Sequence, residues 1–425
     1  MTTNDRFERG LAGWLREDAA FRVPDHLDEV LSVTRETHQR SAWSSLERWL
    51  PVDTTFRPRL FNMPKPSQIL VVAAIVLALV GALLLYAGSQ QRHLPPPFGL
   101  ARTGAQLSWT GGDIDVAQSD GSASKHLIGG PTDDLAPIPT RDGTHLMFLR
   151  SVTVHTTLLM MARIDGSEIH QVLPAPLVDA DWFEWSPDDQ RLAVVNTVGD
   201  HRALTIVDVA KGTSRDLDLG DLSAENDVFW LPPAGARLVF TAQPTRQDVP
   251  QVKAIYTIRS DGTGLQNVTP LRTELAVYND IDVSHDGRYV SYWNWEPDPL
   301  AGENRPHIHL LDLTTGHEER ITFDPTAAGE TALRFSPDGE HVVIQREDTQ
   351  GQLLIGTLDR TGPTRLVGPR FDLDTDPNYG FTPDGNDVFF ALPWDRPYLF
   401  DVSTGAGRRG PTSIENFAGY QRLGS

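Results

Sequence analysis

Carboxylates at a recurring position are the first residues in this chain with types and spacing that could do chemistry. The series is Asp133 and Asp134, Asp179 and Asp181, Glu225 and Asp227, Asp280 and Asp282, Glu330, Asp374 and Asp376, and Glu415. Most stand eight to eleven residues before the end of a Pro-Asp-Gly-like tetrapeptide; Asp280 and Asp282 stand five to seven before theirs. Like charges held close together raise one another's pKa and draw in cations. A ring of them would bind a metal ion or a basic ligand. The simpler use of Asp and Glu at such positions is to cap turns.

Two smaller groups invite a metal. Asp372, Asp374, Asp376 and Asn378 alternate like the start of a calcium loop, but Pro377 stands where that loop wants Gly and Pro383 where it wants a bidentate Glu. A calcium ion is thus the one cofactor candidate, and no cofactor is the expected state. His307 and His309 lie two apart on a predicted strand and face one way, as a metal pair would, with no third ligand near in sequence. Gly-x-Ser-x-Gly, P-loop and His-Glu-x-x-His motifs are all missing. The chain reads as no enzyme.

What must position the acids is a repeat. TRDG 140–143, SPDD 186–189, PPAG 232–235, SHDG 284–287, SPDG 336–339 and TPDG 382–385 end at spacings of 46, 46, 52, 52 and 46. A second turn marker is interleaved at Gly121, Gly166, Gly212, Gly262, Gly316, Gly362 and Gly405. Each period holds four short strand-like runs, which is one blade of an all-β propeller. Seven outer markers against six inner ones imply seven blades of four antiparallel strands. The missing first strand is then Glu415–Arg422, with the C-terminal strand closing the first blade and removing two sheet edges. First strands line the channel, so the acids would ring one mouth. The two stretched periods put long loops at 242–252 and 295–306 on that same face, where function concentrates. The chain would enter the propeller on the opposite, Pro-Asp-Gly face.

FSPDGEHVVI 335–344, FTPDGNDVFF 381–390, WSPDDQRLAVV 185–195 and AIYTIRSDGTGLQNVTP 254–270 resemble the TolB-type propeller repeat, a relative of WD-repeat blades. The resemblance covers about 103–425 and implies the fold; propellers host many activities. Blade 4 departs from it, with PPAG in place of SPDG.

Charge divides the chain further. Its 425 residues carry 37 Lys and Arg against 57 Asp and Glu, a formal charge of −20, and no cysteine. Nucleic-acid binding is excluded by that balance, and disulfides and thiolate metal sites by the missing thiols. Residues 1–66 hold ten acids and ten bases. Apolar stripes at helical spacing, such as Phe7, Leu11, Trp14 and Leu15, predict a small helical segment there. Residues 69–87 hold no charge, and nineteen residues of helix span roughly 28 Å, a bilayer's hydrocarbon core. Arg48, Arg57, Arg59 and Lys65 precede this run and only Arg92 and Arg102 follow closely, so the N-terminus should be cytoplasmic. The expected order is a cytoplasmic helical segment 1–66, a transmembrane helix 67–88, a linker 89–103 and an extracytoplasmic propeller 104–425. Membrane-bound bacterial anti-sigma regulators resemble this layout.

The leading expectation is a membrane-anchored propeller in the bacterial cell membrane, single-pass, that binds a protein, peptide or cationic ligand or acts as a scaffold. The first alternative is a transmembrane regulator, with the propeller as sensor and residues 1–66 docking a cytoplasmic protein. The second is a propeller hydrolase or lyase working at the acidic mouth.

Overall fold

The computed structural model describes residues 99–425 apart from 233–234, 247, 249–251, 270–278, 299–301, 376 and 425. The helical stripes and the apolar run 69–87 lie outside the described residues. Among the described residues no helix is long and apolar enough to cross a membrane.

Seven antiparallel sheets make seven blades. Their first strands are Asn416–Leu423, Asp134–Pro139, Trp182–Trp185, Leu222–Trp230, Asn279–Val283, Gly329–Phe335 and Asn378–Phe381, for blades 1 to 7. Six sheets have four strands. Blade 2 has a fifth, Leu177–Val178, paired to the start of its third strand. The C-terminal strand Asn416–Leu423 pairs with Arg102–Thr110, with Tyr420 opposite Gln106. Blade 1 is therefore closed by both ends of the propeller, as the repeat count requires.

Five of the six inner tetrapeptides are locked alike. The hydroxyls of Thr140, Ser186, Ser284 and Thr382 donate to the Asp two residues on at 2.6, 2.5, 2.7 and 2.7 Å, and Ser336 does the same to Asp338. Each hydroxyl oxygen then accepts the backbone N–H five residues on, as Ser186 does from Arg191 at 2.9 Å. The last turn residue is left-handed, which suits Gly at four of these turns; Asp189 takes the position in SPDD, at φ 53°. PPAG has no hydroxyl to offer; there the Gly235 N–H bonds the Leu231 carbonyl.

Apolar residues form seven buried clusters, each wedged between two neighbouring blades. Ala193, Leu204 and Ile206 of blade 3 meet Trp230, Leu238 and Phe240 of blade 4, for example. The chain enters on the Pro-Asp-Gly face: the Ala101 N–H bonds the carbonyl of Pro383 in the TPDG turn, and the Arg422 guanidinium bonds Gly99 O at 2.7 Å. The expected long loop at 295–306 is instead a hairpin. Tyr289–Asp298 and Glu303–Asp312 pair continuously, out to Asp298 opposite Glu303.

The turn Gly143 packs on the closing strand. Its φ is 71°, and an added Cβ would lie 1.8 Å from the Arg422 carbonyl oxygen. Gly199 is equally left-handed, at 68°, with open space around it. Gly199→Ala should cost about 1–2 kcal/mol in urea unfolding, the left-handed penalty alone. Gly143→Ala should cost at least twice as much, because the closing strand must also move. Equal losses would mean that the turn does not bear on that strand.

Candidate functional site

The predicted acids divide into those spent within their own surroundings and those that meet in the channel. Asp134 is fully buried and accepts from two Arg150 guanidinium nitrogens, Nε and Nη2, at 2.8 and 2.9 Å, within blade 2. Asp133 is exposed, with its carbonyl accepting Ser151 N–H. Asp179 pairs with His155 at 2.8 Å, and Asp181 with Arg202. Glu415 accepts the Gly111 N–H at 2.7 Å. Glu330 is buried and accepts the N–H groups of Phe323 and Asp324, capping the turn before its strand. Burial pushes the Glu330 carboxyl up to about 7 against those two donors. Glu225 is half-buried and Asp374 exposed; Asp376 lies outside the described residues. Of this part of the series, Glu330 and Glu415 accept backbone N–H groups as caps do, and Asp134, Asp179 and Asp181 are taken up by ion pairs.

Asp227, Asp280 and Asp282 behave differently. Five first strands carry a register shift against their second strand, at Ala224/Val228 in blade 4, Asn279/Asp282 in blade 5 and Thr331/Arg334 in blade 6 among them. In four of these the extra residue is left-handed without being Gly: Ala136, Asp227, Asp280 and Ala332. A bulge re-aims the side chains beside it. Asp tolerates the left-handed region better than most residues, and in adjacent blades 4 and 5 it occupies the bulge, at φ 73° and 54°.

Arg334, from the blade 6 bulge, is the cation these acids share. It bonds Asp280 at 2.7 Å and lies near enough to Asp282 to feel its charge. Its guanidinium sits 5.7 Å from the centre of the Tyr379 ring of blade 7. Asp282 in turn accepts the Phe335 N–H at 2.8 Å. Arg334 and Asp280 keep 28 % and 39 % of their side-chain exposure, so solvent partly screens the pair. Glu184, paired with Arg141, joins the group from blade 3: its burial, and then Asp282, raise its carboxyl against Arg141. Asp227 is 7 % exposed; burial first, then repulsion from Asp280, push it up to about 6. Burial likewise pushes Asp282 up to about 6, against the pull of Arg334.

Asp282 therefore belongs to the strand itself, inside the channel, and not to its approach. It stands five residues before the end of its tetrapeptide, as do Glu184 and Arg334. Reading that offset for every residue type, and not for acids alone, would have found both partners.

The two metal candidates resolve otherwise. Asn378 is committed to the Phe417 carbonyl at 2.8 Å, and Asp372 uses its carbonyl in a turn with Thr375. Among the described residues, Asp338, Glu340 and His341 are the group whose ligand atoms come within 4.8 Å of one another. Asp338 there is already the cap of the SPDG turn. His309 is 2 % exposed and lies between two carboxylates, Glu296 at 3.1 Å on one ring nitrogen and Glu318 at 3.0 Å on the other. It stacks on Tyr292 at 5.1 Å, while His307 faces the Arg320 guanidinium at 2.8 Å. That is the geometry of an imidazolium held by ion pairs. Burial opposes its charge, and the two carboxylates overcome it, so the His309 pKa is raised.

Two pH effects follow. Protonated Asp227 suits the fold, so its contribution is full below an unfolded value of 3.8 and is lost as pH rises through about 6. At pH 8 the ionised group costs at most roughly 3 kcal/mol. Asp227→Asn should therefore raise the melting temperature at pH 8 by several degrees and leave it nearly unchanged at pH 4. His309 has the same sign: its stabilisation is present below an unfolded value of 6.5 and is lost above its raised folded pKa. NMR titration should place its midpoint above that of an unfolded histidine, and Glu296→Gln with Glu318→Gln should bring the midpoint down. A midpoint unmoved by both changes would contradict the ion-pair assignment.

No family model matches the sequence. Among solved structures, an oligogalacturonate lyase in complex with manganese aligns at 17 % identity over 66 % of this chain and 79 % of that one, with a TM-score of 0.50. TolB from Acinetobacter baumannii aligns at 18 % identity over 66 % of each chain, with a TM-score of 0.43. A putative TolB from Agrobacterium tumefaciens aligns at 19 % over 68 % of this chain and 94 % of that one, with a TM-score of 0.42. At such identities the likeness is one of fold. By its repeat and its seven sheets, the chain carries a seven-bladed β-propeller scaffold whose turn motifs resemble the TolB-type repeat.

Proposed function

We propose that the protein is a membrane-anchored, extracytoplasmic binding module whose propeller takes a protein, peptide or other cationic ligand at its acidic channel end. The observation that carries this is the meeting of Asp227, Asp280 and Asp282 from adjacent first strands around Arg334, with Lys253 and Glu184 close enough to act on them. Carboxylates outnumber cations there. Two of the three are held up to about 6, which is the work a cation would reverse. The anchor rests on the uncharged run 69–87 and the arginines before it.

A second reading keeps the scaffold and makes the protein a transmembrane regulator. It is favoured by the amphipathic stripes of residues 1–66, a segment with equal numbers of acids and bases.

The missing cysteines make both readings testable in the full chain. A single Asp200→Cys, on a fully exposed loop residue, should react in intact cells with a membrane-impermeant maleimide, and Thr3→Cys only after lysis. The reverse pattern would overturn the orientation. Labelled decalysine should bind the full-length protein, and Asp227→Asn with Asp280→Asn should weaken it at least tenfold. Unchanged binding would remove the channel acids from the site. For the regulator, photo-crosslinking from Val30 should trap a cytoplasmic transcription protein; none trapped would leave the binding module alone.

A further inference from the structure

Eleven large apolar residues are exposed among the described ones. Seven lie on one face, near where second strands turn into third strands or where one blade runs into the next. They include Val152 and Val154 at the blade 2 hairpin tip, Val198 in blade 3, Trp295 in blade 5, Leu373 before blade 7 and Trp394 within it. On the opposite face stand Leu100, Ile169 and Leu265. Chance scatter of surface apolar residues is ordinary. A gathering of both strongly exposed tryptophans and most of the aliphatics on the acidic face is not.

Trp394 adds a second observation. It is 68 % exposed, and its φ is +62°. A bulky residue in the left-handed region is an outlier. The loop holds it there through Trp394 N–H to the Glu415 carbonyl at 3.3 Å and Ile414 N–H to the Asp395 carbonyl at 3.0 Å. The chain thus lifts an indole into solvent beside the start of the closing strand, with Asp395 and Glu415 at its foot. Strain kept at an exposed aromatic marks function more readily than packing, since nothing is packed.

We infer that this face is the docking surface for a basic, partly apolar segment of another protein, with Trp394 and Trp295 as its aromatic anchors. The inference rests on the acidic face being the binding face, and it names the partner's chemistry. Indoles accept guanidinium and ammonium groups on their faces. The Asp374 carboxylate, and those of Asp179 and Asp181 beside their partners His155 and Arg202, are exposed on the same face and favour a basic chain. Valine and leucine at the rim match aliphatic side chains and offer a sugar's hydroxyls nothing. A second copy of this chain, at −20, would meet its own charge.

The test uses the full-length protein and three labelled probes: a twelve-residue peptide alternating lysine and leucine, its glutamate counterpart, and a dextran oligosaccharide. The lysine peptide should bind and weaken with salt, and the other two should not. Trp394→Ala with Trp295→Ala should weaken it at least tenfold, and Ile169→Ala with Leu265→Ala should leave it unchanged. Trp394→Gly relieves the left-handed strain, so it should hold or raise the melting temperature while weakening binding; a merely structural tryptophan would not part the two. Binding that survives loss of both tryptophans overturns the proposal, as does tryptophan-dependent binding of dextran. Loss only with Asp227→Asn and Asp280→Asn keeps the channel site and removes this surface. Loss only with the tryptophan variants does the opposite.

Discussion

The structure depends on bonds that pass from one blade's first strand to the next. Trp230 N–H reaches back to the Glu184 carbonyl at 2.9 Å, and Trp182 N–H forward to that of Val228 at 3.0 Å. Tyr379 O–H donates to Ala332 at 2.5 Å, and the Asn378 amide to Phe417 at 2.8 Å. In each case a side chain satisfies a backbone carbonyl of the neighbouring blade's innermost strand. These strands lie at the centre, where each has a sheet partner on one side only, so carbonyls on the other side need a donor. Large side chains with one polar atom meet that need and fill the narrow end of the wedge as well. At these junctions one blade thereby completes its neighbour, and closure by Asn416–Leu423 gives blade 1 its first strand.

The candidate site is a local change in that scheme. Between blades 5 and 6 the bond runs to a charge: Asp282 takes the Phe335 N–H, and Asp280 takes Arg334. Apolar or indole groups at the matching points of blades 2 and 4, Ile138 and Trp230, show what the ring uses elsewhere. Replacing them with partly buried charges is expensive, and such groups add little net stability even when paired. A scaffold that closes seven wedges with apolar clusters has stability to spare for one charged stretch. The blade 5 hairpin continues the theme, with Glu296, Glu318, His309 and Arg320 on the same blade. Polar substitution thus runs through blades 3 to 6, and both 52-residue periods fall within that arc.

The blade count, the closing strand and the side on which the chain enters were legible because local turn chemistry repeats with the period. Hydroxyl, Asp and Gly at fixed offsets build a turn without help from elsewhere. The hairpin at 295–306 was not legible, because Pro297, Pro299, Pro306 and Gly302 read as a loop. There the hairpin outruns its sheet, since the fourth strand Glu318–Ile321 pairs only as far as Ile308. A strand with a free edge loses no ladder bond to proline. Of the acids, the sequence showed the recurrence but not the division. Whether a carboxylate faces Arg150 in its own blade or Arg334 in the next depends on a bulge, and bulges leave no mark in composition. Glu296 and Glu318 reach His309 from two other strands, so spacing along the chain could not reveal them.

The charge of −20 is best understood by what each carboxylate already holds. Asp401 accepts from Ser403 and Thr404 and falls to about 2, and Asp312, bonded to Thr314 and Arg288, is lowered as well. Those charges belong to turns, and a ligand would have to break a turn to use them. Asp227, Asp282 and Glu330 are raised, so their surroundings leave the ionised form under-compensated. Glu330 is enclosed by its own cap. Asp227 and Asp282 share the channel with Asp280. An added cation gains most where ionised carboxylates are least satisfied, and by that criterion the acidity of this propeller narrows from a general surface property to one arc of its inner ring.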